Sequence, residues 1–150
     1  LLSQGNSSRL YKELVDNKQI AVASAAFPFF LEQPGLFIFY TIAAPGINVN
    51  DILSVIDAEI EKVKNEPIGD NEFIKLKNQT EKDFVNRLKN QQGIAIQLAD
   101  YHIFGGGTDN INNEWNKFDK VTKEDLKRVA EKYLTKNSRV VLYYLPQPKK

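Results

Sequence analysis

The chain has no cysteine, no methionine and a single histidine in 150 residues. Without cysteine there is no disulfide framework, no thiolate metal site and no cysteine nucleophile. With His102 alone, every two-histidine metal motif is arithmetically impossible, H-E-x-x-H and its inverse included. Zinc would have to be held mainly by carboxylates, an uncommon donor set. The missing methionine includes position 1, so the expectation is a piece of a longer translation product.

An excess of one charge is missing as well. Twenty Lys and Arg stand against 19 Asp and Glu, and no basic cluster breaks the mixture, which argues against nucleic-acid binding. Lys149 and Lys150 are too few to make a basic tail. No apolar run reaches the roughly 18–20 residues that a membrane helix needs. The most apolar stretches, residues 20–30 and 36–44, are short and punctuated by Pro28, Pro34 and Gly35. Leu1-Leu2-Ser3-Gln4 is not a basic segment followed by an apolar core, so no signal peptide is read there. There is no internal repeat or low-complexity segment.

What is present is regular patterning. Ser7-Ser8 can cap a short helix with Leu10, Tyr11 and Leu14 on its inner side, closed by Asn17 and Lys18. Ile20, Val22, Ala23, Ala25 and Phe27 read as a strand buried on both faces. Glu32-Gln33-Pro34-Gly35 is a turn, and residues 36–42, rich in aromatic and β-branched side chains, form the strongest strand. The two strands are expected to pair antiparallel.

After Pro45-Gly46, Asn50 or Asp51 can cap a helix whose Ile52, Val55, Ile56, Ile60 and Val63 follow one apolar stripe. Pro67 and Gly69 end it. A helix from about Asp70 turns Phe73, Leu76, Phe84 and Leu88 inward, and residues 94–104 carry Ile94, Leu98 and Tyr101 on one side. Ile111, Trp115 and Phe118 suggest a further amphipathic turn. Thr122 and Asp125 have the spacing of a capping box. They open a helix expected to bury Leu126, Val129, Ala130, Tyr133 and Leu134. Residues 139–145 read as a last strand, ended by Pro146 and Pro148. The fold class is α+β, with helices packed on one face of a small, largely antiparallel sheet in one domain spanning residues 1–150.

Nothing in this pattern assembles a catalytic centre. No patterned nucleophile lies near His102, and Ser7, Ser8 and Ser24 lack a G-x-S-x-G elbow. Gly105-Gly106-Gly107 follows a helix and precedes Thr108-Asp109, which fits a helix C-cap and not a phosphate loop. The carboxylates of residues 70–83 alternate with lysines as a solvated face does. No residue is assigned a catalytic, cofactor-binding or metal-binding role.

One stretch goes beyond generic patterning. Gly5-Asn6-Ser7-Ser8-Arg9-Leu10-Tyr11-Lys12-Glu13-Leu14, followed by Asp16-Asn17-Lys18-Gln19-Ile20-Ala21-Val22, resembles the signature of the pitrilysin/insulinase family of zinc peptidases. The tail agrees, with Val121-Thr122-Lys123-Glu124-Asp125-Leu126, Val129-Ala130-Glu131-Lys132-Tyr133-Leu134 and Arg139-Val140-Val141 similar to that family's closing helix and last strand. The resemblance implies the C-terminal two-thirds of a non-catalytic domain. In this family one half carries an inverted zincin motif, H-x-x-E-H, and the other half lacks the metal, closes a chamber and helps hold the peptide. The implied partners are a zinc-bearing domain or subunit and a peptide substrate, with zinc in the partner and none in this chain. A bacterial periplasm or cytoplasm is the implied setting.

The sequence departs from the family at two places. Val15 stands where the family has an Arg that contacts substrate, and Val22 stands where it has a Tyr. Neither valine can donate a hydrogen bond to a developing oxyanion. Two readings follow: the non-catalytic half of a zinc metallopeptidase, or a structural assembly subunit without proteolytic activity.

Overall fold

Ile52, Ile56, Ile60 and Val63 stand on one stripe of a helix, and all four are buried. That stripe decides where the main core lies. The structure is a computed structural model that describes residues 1–31 and 33–145. Glu32 of the expected turn, and Pro146 and Pro148 after the expected last strand, lie outside the described residues.

The chain divides into two compact units. The first in sequence comprises residues 2–29, 36–66 and 127–150; the second is chiefly residues 67–126, with 30–35 and Leu1.

In the first unit, helix α1 (Arg9–Tyr11) runs on into a π-helical stretch, Lys12–Asn17. The wider π turn is closed by the Lys18 amide donating to the Glu13 carbonyl. Ser8 occupies the N-cap but makes no capping bond, and its hydroxyl is buried without a partner among the described residues. The corner into the first strand is made at Gln19, the one non-glycine residue with positive φ among those described. Asn17 instead donates across the π turn to the Glu13 carboxylate, at 2.8 Å.

Strands β1 (Ala21–Phe29) and β2 (Leu36–Ala43) pair antiparallel as expected. Val22 is an extra residue in β1, because Ala21 faces Ala43 while Ala23 faces Ile42. Helix α2 (Val49–Asn65) covers one face of the hairpin. Leu10, Leu14, Ala21, Ile52, Ile56 and Ile60 form the core, with Ala26, Phe39 and Ala43 of the hairpin packed against it. Its cap is Asn48, whose side chain accepts from the Asn50 amide at 3.0 Å. The sequence expectation had placed the cap at Asn50 or Asp51.

The expected last strand is corrected by the structure. Residues 139–145 have no strand pairing. They are anchored instead by side chains: Arg139 holds both oxygens of Asp57, and the Tyr143 hydroxyl donates to Asn50 at 3.1 Å. The aromatic and β-branched composition suits a strand, but a ladder also needs a neighbouring backbone.

The second unit is helical: α3 (Asp70–Arg87), α4 (Gln91–Ile103), a 3-10 turn at Thr108–Asn113 and α5 (Glu114–Asp119). Helix α6 (Lys123–Tyr133) carries the chain back to the first unit. The capping box forms as expected, with Thr122 and Asp125 bonded reciprocally at 3.1 Å. Ala130 is buried, but Val129 and Tyr133, expected inside, are exposed. The sequence stripe on α6 is wider than the surface it covers. The architecture is α+β, six helices with a two-stranded antiparallel sheet among the described residues.

Candidate functional site

The hairpin is apolar on both faces. Register and alternation put Ala26, Phe39, Ser24 and Thr41 on the face toward α2, where the Ser24 and Thr41 hydroxyls meet at 3.2 Å. Phe27, Phe29, Leu36, Tyr40 and Ile42 lie on the other face, and all five are exposed. A solvated face of an antiparallel sheet ordinarily alternates to polar residues. Exposed apolar faces are candidate interaction surfaces.

Val15 packs against the core, and Val22 projects from the bulge at 61% exposure. Val22 is thus accessible, with a side chain that offers contact area and no hydrogen bond. Ser3 closes part of the hairpin's β1 edge: its hydroxyl donates to the Ala26 carbonyl at 2.6 Å and accepts from the Ala26 amide.

In the helical unit His102 stands exposed in the last turn of α4. The triple glycine behaves as a helix C-cap, as the sequence suggests. The Gly105 and Gly107 amides both donate to the Tyr101 carbonyl, at 3.1 and 3.0 Å. A Cβ on Gly105 would sit 2.4 Å from the Tyr101 ring, and Gly106 and Gly107 have φ of +74° and +128°. No anion cradle is formed by this arrangement. A shallow open depression of about 320 Å³ beside the start of α4 is lined by Asn86, Arg87, Asn90, Gln92 and Gln97 together with Gly93 and Ile96, and offers no nucleophile.

Among the described residues the most strongly perturbed titratable group is Tyr101. Burial, and then its hydrogen bond to the Glu114 carboxylate, push its hydroxyl up to about 12. A phenol held in its protonated form is a poor base. Sequence reasoning placed Tyr101 on an inner face but missed this bond, because Glu114 is 13 residues away and nothing local links them.

Among the described residues, no three His, Asp or Glu side chains sit together as a metal-ligand group. No helix among the described residues is long and apolar enough to cross a membrane.

Comparison with known proteins decides the family. The peptidase M16 inactive domain matches residues 1–80, more than half of the chain. The chain belongs to the peptidase M16 inactive domain family. The zinc protease PqqE of Helicobacter pylori is 28% identical over 146 residues, 97% of this chain and 33% of that protein. The crystal structure of a protease from H. pylori superposes with a TM-score of 0.83 at 29% identity, over 92% of this chain and 33% of its own. The inactive peptidase domain of a candidate zinc protease from Bordetella parapertussis shares the fold, with a TM-score of 0.81 and 22% identity over 97% of this chain and 79% of that one. The M16 inactive domain seen here spans about a third of the length of the curated relative it matches. A non-catalytic role within the M16 zinc protease family fits the match to its inactive domain.

Proposed function

We propose that this M16 inactive domain is the non-catalytic half of a zinc metallopeptidase. It closes a chamber and helps hold an extended peptide, while a partner domain or subunit supplies zinc and the catalytic Glu. The observation that carries the reading is the exposed face of Phe27, Phe29, Leu36, Tyr40 and Ile42 in a domain of this family. Apolar and aromatic area binds peptide side chains without dictating sequence, which suits a wall that holds and does not cut.

Val15 and Val22 favour contact over polar assistance, so stabilisation of the reacting carbonyl falls to the partner half. The same two residues support the second reading, a structural subunit that assembles without proteolysis.

The test mixes the chain with the metal-bearing M16 half encoded with it and an unstructured reporter peptide. Chelator-sensitive cleavage that requires both components is the expected result, and it excludes the purely structural reading. Cleavage by the metal-bearing half that is unchanged by adding the chain overturns the proposal. A Tyr40→Ser substitution on the exposed face is expected to raise KM several-fold with little change in kcat, as loss of uniform binding does.

A further inference from the structure

Charge is missing from the hairpin. From Gln19 to Asn50 the sequence carries one charged side chain, Glu32, although 26% of the whole chain is charged. Neither β1 nor β2 contains Asp, Glu, Lys or Arg. A charged side chain pressed onto the outer face of these strands would lose water and find no counterion on them. The face selects against charge before it selects for anything.

The same face is uneven in height. On it Ala23 stands opposite Ile42 and Ala25 opposite Tyr40, and neighbours along one strand are about 6.4–6.8 Å apart. Farther along, Phe27 stands opposite Ile38 and Phe29 opposite Leu36, so large side chains meet large ones. At the alanine end β1 offers only methyl groups, both alanines being half-buried. Beside them Tyr40 and Ile42 stand clear, at 56% and 44% exposure. The result is a step. Ala23 and Ala25 are its floor, Tyr40 and Ile42 its long wall, and Phe27 closes one end.

We infer that this step selects peptides by size and charge, taking one large apolar or aromatic side chain from an extended, uncharged segment. Ala23 and Ala25 set the size it accepts. The inference rests on the peptide-holding reading above and deepens it, naming the class of peptide and not its sequence. An extended peptide alternates its side chains with the period of the strands beneath it. When one side chain stands over the alanines, the next on that side lies over Phe27 or Phe29, where there is area but no depth. A peptide alanine at the step leaves it unfilled, and the wall then has nothing to pack against.

The test is equilibrium binding of fluorescently labelled peptides to the purified chain, read by anisotropy. The peptides share one uncharged, strand-forming sequence and differ at a central position: Phe, Leu, Ala, Lys or Glu. The Phe and Leu peptides are expected to bind about tenfold more tightly than the Ala peptide, and Lys and Glu more weakly than Ala. Ala25→Leu raises the floor. It should cost the Phe and Leu peptides about tenfold and leave the Ala peptide unchanged, so the size preference disappears. Phe29→Ser, at the flat end, weakens all five peptides alike. Protection of the β1–β2 ladder amides from exchange reports that each variant keeps the hairpin, and Ala23→Leu, one pair along, repeats the test at a second position.

Equal affinity for all five peptides, or a size preference that survives both Ala25→Leu and Ala23→Leu, overturns the inference. If cleavage by the metal-bearing half still needs the chain, peptide holding outlives that result. Size preference in binding, with cleavage that ignores the chain, supports the step and removes the peptidase-half reading instead. No saturable binding of any peptide overturns the inference, and so does a self-associated chain that no peptide dissociates, which puts a second copy on this face.

Discussion

The two units of this chain hold themselves together differently. The hairpin unit concentrates Leu10, Leu14, Ala21, Ile52, Ile56 and Ile60 into one buried cluster. The helical unit has Ile68 buried before α3 begins, but none of α3, α4 or α5 contains a buried residue. Its contacts are half-buried and partly aromatic: Phe84 against Trp115 at 5.9 Å, Lys77 over Phe73 at 5.6 Å, and Arg87 over Phe84 at 5.8 Å. Both units have ordinary helical patterning, so patterning alone does not measure stability. What separates them is how much apolar surface each removes from water within these residues. The hairpin unit is expected to be the stable platform and the helical unit the part that opens first.

Substitutions can break that contrast. Leu14 is fully buried, and Leu14→Ala is expected to cost about 2–5 kcal/mol by urea unfolding. Leu98, in α4, is 38% exposed, and Leu98→Ala should cost less than about 1 kcal/mol. Equal losses would remove the distinction between the units.

Lys62→Met comes next. Glu59 is buried with its carboxylate 2.6 Å from the Lys62 ammonium, which raises the lysine's pKa. Stranding that carboxylate should cost about 1–3 kcal/mol in the hairpin unit, and an unchanged midpoint would mean that solvent reaches Glu59. Trp115→Ala removes a ring pair worth about 0.5–1.5 kcal/mol beyond its area. Amide exchange should accelerate in α3 and α5 while the β1 and β2 ladder amides keep their protection. Loss of protection in both units at once would show one cooperative block.

The smallest effect is Tyr101. Its folded pKa is raised from 10.0 to about 12, so the fold prefers the neutral phenol. The stabilisation is whole below about 10 and is lost as pH rises through about 12. Ultraviolet difference titration should show one tyrosine ionising late, and Glu114→Gln should bring it back part of the way, leaving the burial contribution.

Much of the fold was legible locally. The α2 stripe, the hairpin, the Thr122–Asp125 box and the glycine C-cap each depend on residues close in sequence, so their patterns carry over directly. What was not legible depended on partners. Residues 139–145 have a strand's composition, but whether a strand pairs is decided by another backbone. Val129 and Tyr133 fit an apolar stripe, but covering them takes a neighbour. The cap at Asn48 fell outside the expected pair because several adjacent Asn and Asp can each serve. The candidate surface was half legible. The sequence reading had the first strand buried on both faces, but Val22 and Phe27 are exposed, and only the register separated the five side chains that face outward from those that meet α2.

The central claim is that this domain supplies wall and contact while the metal chemistry belongs elsewhere. It is tested most directly by equilibrium dialysis of the purified chain against zinc, followed by metal analysis. The expected content is at background, far below one zinc per chain. Stoichiometric zinc that survives dialysis, and falls when His102 is changed to Ala, would contradict it.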